Sequence, residues 1–398
     1  MEFRRDHHLK LLRFQPQARP GRDALALAGD EVFRFGIEEE YFLADARTLD
    51  VAAETPKSLF DYAHEGMAGR LAQEMLQAQL EVATEPHTSF ADARLELLRL
   101  RKTAAGAAAQ CGLVILAAGT HPTAEWREAV QTPKDRYDVV MDGLQMIGQR
   151  NMLCGMHVHV ELPDPSRRVD VMSRMLPYIP LFLALSTSSP FWQARDTGLK
   201  GYRLAAYDEL PRTGLPELFR SNEEYDAYVA ALVRSGVICD ASHIWWAVRP
   251  SQKYPTLELR APDSCTRLDD AVAIAALYRA LVRHLYVDPD HNAGLDCMAR
   301  ALAVENKWRA QRYGVQGTFA TAAGAVTVGE MLDDLLDLLA DDAAALDCAE
   351  EVEHCRGIVE NGTSADAQLR AFQDHEHEGR EAGFRAVAQW IADATLQS

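Results

Sequence analysis

The chain has 398 residues, 48% of them hydrophobic, and a formal net charge of −18 from 59 acidic against 41 basic residues. That is enough apolar material for one large domain or two. The acidic excess argues against nucleic acid or an anionic membrane surface as partner, and no run of about 18 uncharged apolar residues suggests a membrane span. Seven scattered cysteines without a CxxC pair read as free thiols of a reducing cytoplasm. The opening MEFRRDHHLKLLRF lacks the apolar core of a secretory signal, so Asn361-Gly-Thr reads as a surface turn and not a glycosylation site.

In chain order, residues 1 to about 30 form an irregular charged lead-in. FRFGIEEEYFLAD at 33–45 reads as a strand, 56–70 as a helix with Pro56 near its start, and 76–84 as a second strand. A helix at 89–111 precedes a buried strand at 112–120, and a helix at 134–150 precedes an alternating strand at 154–162. An apolar helix is predicted over 167–188. The Pro-, Gly- and Arg-rich stretch 189–220 reads as a long functional loop. A helix at 222–236 follows, then strands in HIWWAVRPS and PTLELRAPD, and helices at 268–286 and 295–313. Beyond about 327 the Ala-, Leu- and acid-rich chain reads as entirely helical. Strands with one polar face favour an α+β fold with a mainly antiparallel sheet, helices covering the other face.

Strand parity collects the chemistry. Glu38 and Glu40 share one face of their strand and Glu39 takes the other; His157 and His159 share a face, as do Glu258 and Arg260, and Glu81 sits between Leu80 and Val82 in the same way. Two parallel carboxylates amid Phe35, Ile37, Tyr41 and Phe42 are costly to bury without a cation between them. Carboxylate oxygens suit Mg²⁺ or Mn²⁺, and an added imidazole favours Mn²⁺ or a second metal position. Several acids around divalent ions with an arginine nearby are what phosphoryl transfer requires. Neither GxxxxGK[ST] nor GxGxxG is present, so the common nucleotide loops are not the route to ATP. Each piece also has a plainer reading: an HxH pair as one core and one surface histidine, a Glu–Arg pair as a surface charge pattern, Glu74 as a surface acid.

GIEEEY (36–41), QLEVATEPH (79–87), AAGTHP (117–122), CGMHVHVELPD (154–164), SPFWQARDTG (189–198), IWWAVRPS (244–251), TLELRAPDSCTRLDDAVAIAALYRALVR (256–283) and ENKWRAQRYGVQG (305–317) together resemble the YbdK-type carboxylate–amine ligases of the glutamate–cysteine ligase type 2 family. The resemblance spans roughly residues 31–320. It implies a glutamine-synthetase-like fold, with a curved antiparallel sheet and helices on its convex face, and a catalytic domain over 31–320 that the helical part 321–398 completes. It implies ATP-dependent amide formation through an acyl phosphate, weakly if at all with cysteine as acceptor.

Carried over residue by residue, Glu38, Glu40, Glu81, His157 and Glu258 match metal ligands, with Glu74 as a further candidate. Arg260 matches the arginine beside the transferring phosphate. Arg249, Lys307, Arg309 and Arg312 are candidates for the nucleotide, and Arg195 and Arg203, in a loop read as a lid, for a substrate carboxylate. Ala247 stands where many relatives are expected to carry aspartate. The partners expected are small amino acids and amines, with a homo-oligomer favoured over a monomer. A metal-dependent hydrolase and a non-catalytic binding or regulatory member of the fold are the alternatives, discriminated by whether turnover needs ATP.

Overall fold

The computed structural model describes residues 33–67 and 70–397, so the expected lead-in at 1–30 lies outside the described residues. The first half contains β1 (Phe35–Asp45), α1 (Lys57–Met67), β2 (Leu71–Gln73), β3 (Gln79–Ala83), α2 (Phe90–Gln110), β4 (Leu113–Leu116), α3 (Asp135–Leu144), α4 (Met146–Gln149), β5 (Met156–Glu161), α5 (Arg168–Arg174) and α6 (Ile179–Ser186). There follow β6 (Phe191–Trp192), β7 (Arg195–Asp196), α7 (Tyr202–Tyr207), α8 (Asn222–Arg234), β8 (Val248–Pro250), β9 (Thr256–Leu259), α9 (Leu268–Val287), α10 (Cys297–Tyr313), β10 (Thr318–Thr321) and β11 (Gly324–Thr327). The chain closes with α11 (Val328–Ala345), α12 (Ala349–Asn361), α13 (Ser364–His375) and α14 (Arg380–Leu396).

Seven strands form one sheet in the order β2-β3-β1-β5-β9-β8, with β4 pairing the far end of β1, and every pairing is antiparallel. β1 alternates as its sequence demands: Phe35, Ile37, Glu39 and Tyr41 are buried on one face, while Glu38 and Glu40 lie half-buried on the other. The buried face packs on α2 and α9, where Phe35 stacks on Phe90 at 4.0 Å and Arg279 donates to the carbonyls of Phe33 and Thr88.

Glu39 explains how three successive glutamates fit one strand. It is fully buried, and Arg101 of α2 grips it through Nε (2.8 Å) and Nη2 (2.5 Å) while Tyr41 donates to it at 2.5 Å. The other Arg101 N–H groups reach the carbonyls of Cys265, Thr266 and Thr395 at 2.7–3.1 Å, so the cluster ties sheet, α2 and the end of α14 together. A buried pair of this kind is tolerated only when its remaining donors are satisfied, as they are here.

Three expectations are corrected. The helix predicted over 167–188 is two helices, because Pro177 and Pro180 remove backbone donors and force a 3₁₀ turn at Leu176–Tyr178. The helix over 134–150 breaks at Gln145, whose φ is +53°. The 189–220 stretch is not a free loop: the β6–β7 hairpin and α7 lie in it, Arg203 is 2% exposed, and Ser188 and Ser189 are fully buried against Asp263. The sequence reading also lacked β2 and the β10–β11 hairpin, both too short for an alternation signal.

Candidate active site

The sheet register assembles the site. Glu40 lies opposite Glu81 across β1–β3, Glu38 opposite His157 across β1–β5, and His159 opposite Glu258 across β5–β9, with Arg249 next in that row on β8. Neighbouring strands run about 4.8 Å apart, so side chains of like parity in adjacent rows meet. They line one cleft of about 700 Å³, which Glu74, Arg203, Tyr207 and Arg260 complete.

Two sets of three groups bring their ligand atoms within 4.8 Å of one another: Glu38, His159 and Glu258, and Glu40, Glu74 and Glu81. His157 sits between the sets, with Nδ1 3.3 Å from Glu38 and Nε2 3.8 Å from Glu40. Nε2 of His159 lies 3.4 Å from Glu38, and its Nδ1 meets the Thr256 hydroxyl at 2.8 Å. The Nε2 atoms of both histidines are buried and make no hydrogen bond within the protein.

The charges are unevenly compensated. Burial, then the Glu74 carboxylate, pushes Glu40 up to about 7 against the opposing pull of Arg203. Burial and the neighbouring Glu38 and Glu74 carboxylates push Glu81 well above the carboxylate range. Burial and the adjacent Arg260 cation hold His157 down to about 4, which keeps its imidazole neutral. Against burial, Arg260 and Arg249 hold Glu258 far below its ordinary value: Arg249 grips it at 2.8 and 3.1 Å, Arg260 at 2.5 Å. Hard carboxylate oxygens crowded beyond what nearby cations neutralise, beside two imidazoles whose Nε2 atoms are orphaned, fit one or two ions of the Mg²⁺ or Mn²⁺ type.

Arg203 enters from the scaffold. Its Nη1 donates to the carbonyls of Arg260 (3.3 Å) and Pro262 (3.0 Å), while its Nε is buried without a partner. Its backbone N–H bonds the Ser189 hydroxyl at 2.9 Å, and that hydroxyl donates to Asp263 at 2.6 Å. Gly155 makes room for the guanidinium, since a Cβ there would collide with it, and the Gly155 N–H donates to Glu40 at 2.5 Å. Arg260 carries a second buried, unpartnered Nε, with Nη2 3.4 Å from the Tyr207 hydroxyl. Ala247 is buried, and its carbonyl accepts the N–H groups of Arg260 and Ala261.

Of the residues singled out in the sequence, Glu38, Glu40, Glu74, Glu81, His157, Arg203, Arg249, Glu258 and Arg260 converge on the cleft. Arg249 grips Glu258 there and donates to the carbonyls of Ser242 and Ile244. Arg195, Lys307, Arg309 and Arg312 are not among the described residues that line the cleft. Arg195 is exposed in β7, Lys307 pairs with Asp208, Arg309 donates to Thr318, and Arg312 lies 5.1 Å over the Tyr313 ring. The helical setting of Lys307, Arg309 and Arg312 was read correctly, whereas Arg195, read as loop, lies in β7; nothing in a helix sequence tells which face meets the cleft. His159 belongs to the ligand geometry and was absent from the ligand set; its parity with His157 was the signal. Gly155 had none.

The family profile described as Glutamate-cysteine ligase family 2 matches residues 34–386. A protein of Bradyrhizobium diazoefficiens named "Putative glutamate--cysteine ligase 2" is 59% identical over 364 residues, covering 92% of this chain and 84% of the relative. One of the same name from Rhodospirillum rubrum is 45% identical over 351 residues, covering 87% and 90%. Among solved structures, glutamate–cysteine ligase of Francisella tularensis in complex with AMP superposes with a TM-score of 0.70 at 13% identity, covering 92% of this chain and 89% of that one. The bifunctional glutathione synthetase of Pasteurella multocida gives 0.67 at 16% identity, covering 91% and 52%. These two share the mixed fold and its mainly antiparallel sheet. With a profile match over most of its length and close relatives covering it almost end to end, this chain is a ligase of the glutamate–cysteine ligase family 2.

Proposed function

We propose that the protein is an ATP-dependent carboxylate–amine ligase that forms an amide bond through an acyl phosphate, on a curved glutamine-synthetase-like sheet within one catalytic unit. The observation that carries this is the pair of acid-rich ligand sets in one cleft, which Arg260 also lines. The relatives named for glutamate–cysteine ligation support the chemistry, and the AMP complex of the Francisella enzyme supports an adenine nucleotide.

In this reading Glu38, His159 and Glu258 would hold one divalent ion and Glu40, Glu74 and Glu81 another, with His157 beside both sets. Bound there, the ions neutralise phosphate oxygens. A second pocket of about 330 Å³ adjoins the cleft at Glu38 and His159 and is walled by Phe35, Thr84, Pro86 and Tyr254. Its largely apolar lining suits a nucleoside. The substrate carboxylate oxygen bonds the γ-phosphorus as the bond to ADP breaks, and Arg260 stabilises charge on the transferring group. The amine nitrogen then bonds the acyl carbon, phosphate leaves with the C–O electron pair, and the amine gives up one proton. Arg203, with its free Nε, suits a substrate carboxylate.

The test supplies glutamate, Mg²⁺ and ATP with hydroxylamine, a small nucleophile that traps acyl phosphates as hydroxamates. Metal-dependent formation of ADP and hydroxamate in equal amounts is expected. Absence of both across a panel of carboxylic acids, with Mg²⁺ and with Mn²⁺, overturns the reading.

A further inference from the structure

The cleft has a wall that the acid chemistry does not use. On α3, Tyr137, Val140 and Leu144 recur at three- and four-residue spacing, so they share one face, and that face lines the cleft beside Leu210 and Trp245. The wall is not part of the protein core. Only Met141 of α3 is buried, packed toward Gly148, whereas Val140 and Leu144 remain half-exposed toward the cleft.

It is fastened to the segment between β2 and β3 that carries Glu74. The Tyr137 hydroxyl and the Lys134 ammonium both donate to the carbonyl of Gln73, at 3.1 and 3.0 Å, and Thr132 N–H donates to the carbonyl of Met75 at 2.9 Å, on either side of Glu74. An apolar surface therefore stands directly against the Glu40–Glu74–Glu81 set. That juxtaposition suits an amine with an apolar body, its nitrogen directed to the reacting centre and the wall receiving what is attached to it. Nothing in the wall favours a thiol. Cys154 beside the acid set is fully buried, its sulfur accepting from Gln79 at 3.2 Å.

We propose that the α3 wall of Tyr137, Val140 and Leu144, with Leu210 and Trp245, selects the acceptor, and that the acceptor is a primary amine with a branched aliphatic or aromatic side chain and not cysteine. The inference rests on the ligase reading and adds the class of amine. Covering an isobutyl- or phenyl-sized group removes enough apolar area to change kcat/KM by roughly tenfold to a hundredfold.

The experiment measures kcat/KM with glutamate, Mg²⁺ and ATP for ethylamine, cysteamine, isopentylamine and phenethylamine, with hydroxylamine as a reference that has no side chain. Isopentylamine and phenethylamine are expected to exceed ethylamine and cysteamine by about tenfold or more. In Leu144→Ala and Val140→Asp the isopentylamine-to-hydroxylamine ratio is expected to fall about tenfold, while Val139→Asp, on the exposed face of α3, leaves it unchanged. A flat amine series, or a ratio unmoved by both wall variants, overturns the acceptor assignment while hydroxamate formation keeps the ligase reading. If no hydroxamate forms, the ligase reading fails and this inference falls with it.

Discussion

Replacing Glu40 by glutamine separates the cost of the acid cluster from its use. Glu40 ordinarily ionises near 4.5 but is held up to about 7 in the fold by burial and Glu74. The metal-free folded state therefore binds this proton more tightly than the unfolded chain. Stability falls as pH rises through the window from 4.5 to about 7, and the full cost is present above it. At about 1.4 kcal/mol per pH unit, that gap amounts to about 3 kcal/mol at pH 8 but only about 1 kcal/mol at pH 5.5. Glutamine never ionises, and its amide oxygen can still accept the Gly155 N–H that now bonds Glu40. With EDTA present, Glu40→Gln should melt higher than the parent at pH 8, by roughly 3–4 °C, with a difference that shrinks toward pH 5.5. Adding Mg²⁺ should reverse the order, because the parent gains binding energy the variant has lost. Differential scanning fluorimetry across pH, with and without Mg²⁺, reads all of this. A variant that is less stable than the parent in EDTA at pH 8, or equally sensitive to Mg²⁺, would refute the reasoning.

Glu258→Gln should behave oppositely: it leaves the half-buried Arg249 and Arg260 without their counter-charge, so urea denaturation should register a loss of about 2–4 kcal/mol besides lost ADP formation. A stable but inactive variant would contradict the structural half of that role. Arg101→Met strands the buried Glu39 and should cost about 3–5 kcal/mol, seen as a lowered denaturation midpoint; a change below about 1 kcal/mol would mean the cluster is replaceable. Arg195→Ala and Arg312→Ala, both outside the cleft, should keep ADP-forming kcat/KM within about twofold of the parent, and a tenfold loss in either would show that a substrate or a moving segment reaches them.

Strand parity is a local property, so the sequence by itself determined that Glu38 and Glu40 face one way and Glu39 the other, that His157 pairs its face with His159, and that Glu258 stands beside Arg260. The motifs added the order in which these strands occur and the family chemistry. Helix starts read at 89 and about 327 fell where the structure places N-caps, at Ser89 and Thr327, and boundaries failed where a proline pair or the strained Gln145 interrupted a continuous apolar pattern. Only the tertiary structure decided which partners each group meets: that Arg101, sixty-odd residues away, neutralises Glu39, that Arg249 is committed to Glu258, that Gly155 yields its side-chain space to Arg203, and that Lys307 turns to Asp208 instead of the cleft. The physical reason is that sequence spacing sets the direction of a side chain relative to its own backbone, whereas charge pairing and close approach depend on how separate elements are packed, which no local pattern encodes.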